Sequence, residues 1–245
     1  MNLRASVDSR TLVTQIADTL REAVMNGELK PGQRMRQDDF SSQLGVSRTP
    51  LREAFRVLEN EGWLISRPRL GVEVASLSAV QAEELAVMRL LLEPFAIRMA
   101  AQMHDEAEEA LVDELLARTT QPLGEANDMS AIDVANRELH FQLYGMPAGL
   151  ILPALSATLV QHWERFSRYR QIYWAIDGQV LTRSIPDHEH IVEAWKRRDS
   201  DAAEREIARH ILEAVVSLIH RLEPGRRVSP ALAHLAVRYD LDVDL

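Results

Sequence analysis

The sequence predicts a mainly α-helical chain in two parts, a small N-terminal domain with a β-hairpin and an all-helical bundle behind it. Three observations predict this. A short capped helix between residues 47 and 62 is flanked by another short helix and by a hairpin pattern. Apolar residues recur at helical spacing through most of residues 80–222. No alternating strand pattern appears beyond residue 76. The expected divisions are a flexible N-terminus over 1–8, a first domain over 9–76, a helical domain over 77–222 and a tail over 223–245.

The first domain opens with an amphipathic helix over 9–26, where Leu12, Ile16, Leu20 and Val24 repeat every fourth residue and Gly27 closes it. Leu29-Lys30-Pro31-Gly32 is a turn. A second helix spans 37–44, with Asp38 and Asp39 near its positive end. Gly45 breaks it, and Ser47 is placed to cap a third helix that carries Pro50 in its first turn. Leu51, Ala54, Phe55 and Leu58 form the buried face of that helix. Helix, tight glycine turn and helix make a helix-turn-helix unit. Residues 63–66 and 72–75 then read as the two strands of a hairpin around Arg67-Pro68-Arg69-Leu70-Gly71, a wing behind the third helix.

Arg48, Arg52 and Arg56, four apart, line the third helix beside its buried face. Taken alone, they fit an ordinary solvated surface as well as a helix that presents arginines to base edges and phosphates. The wing adds Arg67 and Arg69, which suit phosphate or the narrow minor groove. Net charge does not oppose this. The chain carries −9 overall, but residues 1–76 hold 11 Lys/Arg and 10 Asp/Glu, whereas residues 77–245 hold 17 and 27. The acid belongs to the second domain. With no cysteine there are no disulfides or thiolate metal sites, as in a reducing cytoplasm. No long apolar run or N-terminal apolar leader points to a membrane.

Leu-Lys-Pro-Gly-Gln-Arg-Met at 29–35, Leu-Gly-Val-Ser-Arg-Thr-Pro-Leu-Arg-Glu-Ala at 44–54 and Leu58-Glu59-Asn60-Glu61-Gly62-Trp63 carry a resemblance. Residues 9–76 resemble the winged-helix domain of the GntR family of bacterial transcription regulators. The resemblance implies binding of double-stranded DNA as a homodimer on an inverted-repeat operator. It implies base or phosphate contacts for Arg48 and Arg52, phosphate contacts for Ser47 and Thr49, and a wing-tip role for Gly71. Some members carry a DNA-reading arginine early in the second helix; this chain has Asp38 there.

In the second domain a long helix covers 80–102, with a kink expected at Pro94, and further helical patterns cover 105–119, 130–145, 153–176, 187–198 and 200–222. Asn136 and His140 share a helix face at i,i+4. His188 and His210 each lie 11 residues from Asp199, the expected bend between two helices. An antiparallel hairpin brings both imidazoles to the same height, because each residue advances about 1.5 Å. Such an arrangement fits a metal site in a bundle core, although by themselves three histidines are more often ordinary hydrogen-bonded residues. Neutral imidazole suits zinc, nickel or iron.

Met-Arg-Leu-Leu-Leu-Glu-Pro at 88–94, Asn-Arg-Glu-Leu-His-Phe at 136–141 and His-Glu-His-Ile-Val-Glu-Ala at 188–194, together with the His210 segment, are similar to the FadR-type, or FCD, effector domain. That resemblance implies a divalent metal ion held at the positions of Asn136, His140, His188 and His210, with asparagine where many members have aspartate. It also implies a small organic-acid effector, with Arg89 facing its carboxylate and Trp174 lining its pocket. The expected function is a ligand-responsive, cytoplasmic transcription regulator, a repressor on family grounds. A helical metalloenzyme using a three-histidine ion is the alternative from another class, but no base stands at a catalytic spacing. An acyl-CoA sensor is the other, and the histidine set argues against it.

Overall fold

The computed structural model describes residues 5–25, 27–68, 71–120, 129–176 and 180–241. The chain divides into two compact units, Met1–Leu77 and Ser78–Leu245. The first contains α1 (Ala5–Met25), β1 (Arg34–Met35), α2 (Gln37–Leu44), α3 (Arg48–Asn60), β2 (Leu64–Arg67) and β3 (Gly71–Val74). The second contains α4 (Ala79–Ala100), α5 (Glu106–Thr119), α6 (Met129–Leu143), α7 (Pro153–Ile176), α8 (Val180–Lys196), α9 (Ser200–Leu222) and α10 (Pro230–Arg238). The mainly helical, winged-helix-plus-bundle architecture expected from the sequence is the one found.

In the first unit, Ile16, Ala17 and Leu20 of α1 meet Leu51, Phe55 and Leu58 of α3, all nearly inaccessible to water. Phe40 packs edge-to-face on Phe55, their centroids 6.4 Å apart, and fixes α2 against α3. The turn between α2 and α3 depends on Gly45, whose φ of 64° lies in the left-handed region that glycine adopts without steric cost. The guanidinium of Arg21 spans both carboxylate oxygens of Glu61 at 2.8 and 3.1 Å, tying α1 to the end of α3.

The wing is a three-stranded antiparallel sheet in the order β1-β3-β2. Leu64 faces Val74 and Arg67 faces Gly71. Strand β1 is absent from the sequence reading. It is only two residues long, and it exists because Arg34 and Met35 pair with Glu73 and Val72, far along the chain. The strands also stand one residue away from the expected 63–66 and 72–75. Ser47 takes the extended cap conformation, but its side chain makes no capping hydrogen bond, contrary to the expected hydroxyl cap.

In the second unit α4 packs along α9, with Ala82, Ala86, Leu90 and Ile97 against Ile207, Ile211, Val215 and Ile219. Helix α4 continues through Pro94, and α8 through Pro186. Helix α8 therefore begins at Val180, before Pro186 and not after it as expected; the Asp177-Gly178 break expected ahead of it lies outside the described residues. Helix α1 likewise begins at Ala5, so residues 5–8 are helical and not a flexible start.

The C-terminal tail, whose order the sequence leaves open, contains a helix. Residues 230–238 form α10, opened by Pro230 at its first position and by the Ser229 hydroxyl, which accepts from the Leu232 amide. Its residues Leu232, Leu235 and Ala236 are buried, and α10 packs on α4. Buried Glu83 of α4 accepts from the Ser229 amide and from Arg226, fastening the approach to α10. Leu232→Ala should therefore lower the stability of the folded chain by about 2–5 kcal/mol, the usual cost of emptying a core leucine site. Urea denaturation of the full chain checks this; an unchanged midpoint would mean that the segment is only loosely attached.

Candidate functional site

Two sites emerge, one in each unit. In the first, the N-terminus of α3 presents Ser47, Arg48 and Thr49 to solvent. No acidic residue stands in its first turn, so the free backbone N–H groups and the positive end of the helix dipole face outward unopposed by their own helix. Arg52 and Arg56 follow one and two turns later, both exposed. Arg56 pairs with Glu53 at 3.0 Å, Glu53 also stands 4.0 Å from Arg52, and Arg67 of the wing pairs with Glu73 at 2.8 Å. Arg48 is not free either: its Nε lies 2.8 Å from Oδ1 of Asp38. Gly71 has φ 87° at the start of β3, and a Cβ there would meet nothing, so backbone conformation and not space requires glycine. Arg69 lies outside the described residues.

In the second unit, α6, α8 and α9 bring His140, His188 and His210 together, as the antiparallel hairpin of α8 and α9 predicts. One ring nitrogen from each lies within 4.8 Å of the others. The Nε2 atoms of His140 and His188 are 3.2 Å apart, and His140 and His188 are almost completely buried. Asn136 and Arg89 line the same cavity, joined by Trp163, Phe166 and Arg170. Its volume is about 60 Å³, where one ordered water needs about 10–15 Å³. That is room for a few water-sized groups. Trp174 belongs to α7, but its side chain lies outside what the structure describes.

The partners of the histidines set their protonation. The hydroxyl of Tyr144 donates to Oε2 of Glu93 at 2.5 Å, so it can only accept from Nδ1 of His140, 2.9 Å away. That assigns the proton of His140 to Nδ1 and leaves the Nε2 lone pair directed at the cluster. On the other side, Nδ1 of His210 lies 3.4 Å from Oδ2 of Asp187, leaving its Nε2 as the remaining donor atom. Outer carboxylates and hydroxyls that orient imidazoles in this way are the usual second layer of a metal site. Burial, the neighbouring imidazoles and the Arg89 and Arg170 charges hold His140 well below its ordinary pKa. Burial, then His210, lowers His188 to about 3. Burial pushes Asp187 up, but the His210 hydrogen bond and the Arg209 charge outweigh it and leave the carboxyl below its usual range.

Two of these imidazoles are thus held neutral, with lone pairs available. Two nitrogen ligands at about 2.0–2.1 Å from one tetrahedral ion stand roughly 3.3 Å apart, close to the 3.2 Å observed. The residues fit a divalent ion.

Arg89 differs from expectation. Its Nε and Nη2 contact the two carboxylate oxygens of Glu93 at 2.5 and 3.0 Å, and its guanidinium lies over the rings of Phe166 and Trp163. Burial opposes its charge, but the Glu93 carboxylate more than compensates and raises its pKa. Arg170 is paired with Asp133. Glu93, Tyr144, Asp187 and Asp133 are the functional neighbours that sequence reasoning missed. Glu93, four residues after Arg89, and Tyr144, four residues after His140, carried a readable signal in their i,i+4 spacing; Asp133 and Asp187 did not.

The histidines have a consequence for pH. Above about 6.5 an unfolded histidine and buried His188 are both neutral, so neither state gains. Below that, the unfolded chain binds a proton that the folded site refuses until about pH 3. Stability of the metal-free protein should fall as pH drops through this window, by about 2 kcal/mol at pH 5 from this residue. Urea midpoints in the presence of a chelator, with His188→Gln as comparison, check this; equal slopes for the two proteins would contradict it.

Comparison with known proteins places both units. Residues 12–74 match the family described as bacterial regulatory proteins, gntR family, and residues 84–213 match the FCD domain. The chain is 31% identical over 184 residues to the Nta operon transcriptional regulator of Aminobacter aminovorans, covering 74% of this chain and 82% of that one. It is 27% identical over 213 residues to the "Probable D-xylose utilization operon transcriptional repressor" of Paenarthrobacter nicotinovorans, covering 86% and 90%. Among solved structures it resembles E. coli McbR/YncC, with TM-score 0.66 and 26% identity over 86% of this chain and 98% of that chain. These relatives are transcription regulators and not enzymes. No helix among the described residues is long and apolar enough to cross a membrane. With a winged helix that matches one signature and a histidine-bearing bundle that matches the other, the chain belongs to the GntR family of DNA-binding transcription regulators and carries an FCD domain.

Proposed function

We propose that this protein is a cytoplasmic, metal-dependent repressor of the FadR-like subfamily, which binds an inverted-repeat operator as a homodimer and responds to a small organic acid. The observation that carries the reading is the convergence of three imidazoles within 4.8 Å, two of them buried, on one cavity wall. His140, His188 and His210 hold a divalent ion such as zinc or nickel, with the Asn136 amide oxygen as a neutral fourth donor. The ion supplies a Lewis-acidic positive centre to which a carboxylate can bind.

Charge supports this division of labour. Arg89 and Arg170 each already face a carboxylate, Glu93 and Asp133. The uncompensated positive charge for an acidic effector therefore comes from the ion, and Arg89 shapes and polarises the wall. Trp163 adds a donor: it lines the cavity, and its buried indole N–H has no acceptor among the described residues. The small volume favours a short acid over an acyl chain. Effector binding regulates only through unequal affinity for the DNA-bound and free arrangements of the dimer.

On the DNA side, Arg48, Arg52 and Arg56 face the major groove, Ser47 and Thr49 the phosphates, and the wing bearing Arg67, Arg69 and Gly71 the adjacent backbone. Paired recognition helices then lie about 34–36 Å apart on successive turns. Support for a second copy comes from α4, where Met88, Leu91, Phe95 and Met99 recur at helical spacing as exposed apolar side chains. A stripe of this kind is the pattern of a helix that packs on another. The two-fold operator calls for the same chain as that other.

Two measurements test the proposal. Protein purified without chelator should contain up to one divalent ion per chain by elemental analysis, and His140→Ala/His188→Ala should contain none. Metal content unchanged by that double substitution would refute the site. In sedimentation velocity the wild-type chain should run as a dimer and Leu91→Glu/Phe95→Glu as a folded monomer with operator affinity lowered by at least about tenfold, the loss of paired half-site binding. A dimer that survives the change places the interface elsewhere.

A further inference from the structure

Asp38 is the second residue of α2 and Arg48 the first of α3. The tight turn at Gly45 brings them together, Oδ1 of Asp38 lying 2.8 Å from Nε of Arg48. Both side chains stay largely in water, 68% and 72% exposed. An exposed pair of this kind contributes little to folding. It also sits on the face that meets DNA, where a carboxylate opposes phosphate. As a stabilising device the pair is therefore poor, and its effect has to be sought on Arg48 itself.

A free arginine side chain loses several rotatable bonds of freedom when it docks on a base edge. A carboxylate at its Nε removes part of that loss beforehand. End-on reading of guanine uses the two terminal Nη groups against O6 and N7, which leaves Nε for another acceptor. The pair also strengthens once the groove excludes water from around it, because Coulomb attraction grows as the local dielectric falls.

We propose that Asp38 is a positioning residue for base reading, holding Arg48 through Nε so that its terminal amino groups meet a guanine. The proposal rests on Arg48 facing the major groove. It gives Asp38 a use opposite to simple repulsion: the carboxylate costs some attraction to every duplex and returns selectivity at one base pair per half-site. Asp39 is the internal control. It lies in the same first turn, carries the same charge and has no ion pair among the described residues.

The test uses the full chain. A preferred site is selected from random duplexes, and affinities for it and for all its single-base-pair variants are measured at one salt concentration. Arg48→Ala should abolish preference at one base pair of each half-site. Asp38→Ala should reduce discrimination at that same pair by at least about tenfold, within the range a bidentate arginine–guanine contact provides. It should leave the other positions unchanged, as should Asp39→Ala at every position. Asp38→Asn keeps an acceptor for Nε–H and should lie between wild type and Asp38→Ala; it carries the test if the alanine variant does not fold. If Asp38→Ala and Asp39→Ala both tighten binding to every duplex alike, with base preference intact, Asp38 is only a repulsive charge and the proposal is overturned. If Arg48→Ala leaves every preference intact, the groove-facing reading of Arg48 fails first and takes the proposal with it. Loss of a preference in Arg48→Ala that persists in Asp38→Ala refutes the proposal alone.

Discussion

A single buried carboxylate organises the helical domain. Glu93 of α4 is 1% exposed, and its two oxygens are shared between the Arg89 guanidinium and the Tyr144 hydroxyl. A charge so far from water is tolerated only when it is paired and hydrogen-bonded. Arg89 provides the charge from one turn away on the same helix, and Tyr144 provides a proton from just beyond the end of α6. Because Tyr144 spends its only proton on Glu93, it must accept from His140, and the imidazole is thereby turned to present Nε2. Removing Glu93 would leave a guanidinium uncompensated among Trp163 and Phe166 and would release the tautomer of His140. Structure and site chemistry meet in this one group.

The histidine cluster follows from the same economy of charge. Three imidazoles packed this tightly cannot all be protonated, since burial and mutual repulsion both oppose it. Neutrality leaves lone pairs converging in a space that water would otherwise have to fill. The outer partners Tyr144 and Asp187 keep two of the rings turned toward that space. The arginines around the cavity are each matched by an acid, so the ring of charge is neutral without an ion.

The DNA-binding unit uses its charges in the reverse sense. Arg48, Arg52, Arg56 and Arg67 stand in water, each near a carboxylate on the same or a neighbouring element, where pairing stabilises the fold little and mainly sets orientation. Segregation of acid into the helical domain, visible in the residue counts, keeps the recognition surface from being overwhelmed. The first unit is held by apolar locks such as Phe40 on Phe55 and by the half-buried Arg21–Glu61 pair, while the arginines of α3 stay exposed.

Local pattern by itself determined most helices of both domains, α10 excepted, together with the turn at Gly45, the hairpin and the meeting of His188 with His210. Each of these follows from periodicity, from a glycine at a left-handed position, or from equal counts of residues on either side of a bend. Tertiary structure alone decided what has no local signal. Two residues make β1 only because β3 offers them partners, and α10 is held by Glu83 and Leu232 in a segment whose prolines and glycine suggest a tail. Helix α8 continues through Pro186 inside the packed bundle, where sequence places its start. Asp38 appeared only as a missing arginine until the turn brought it to Arg48. Spacing along a helix fixes which side chains share a face, but whether a charge there is free or already matched depends on groups that only the completed fold brings within hydrogen-bonding distance.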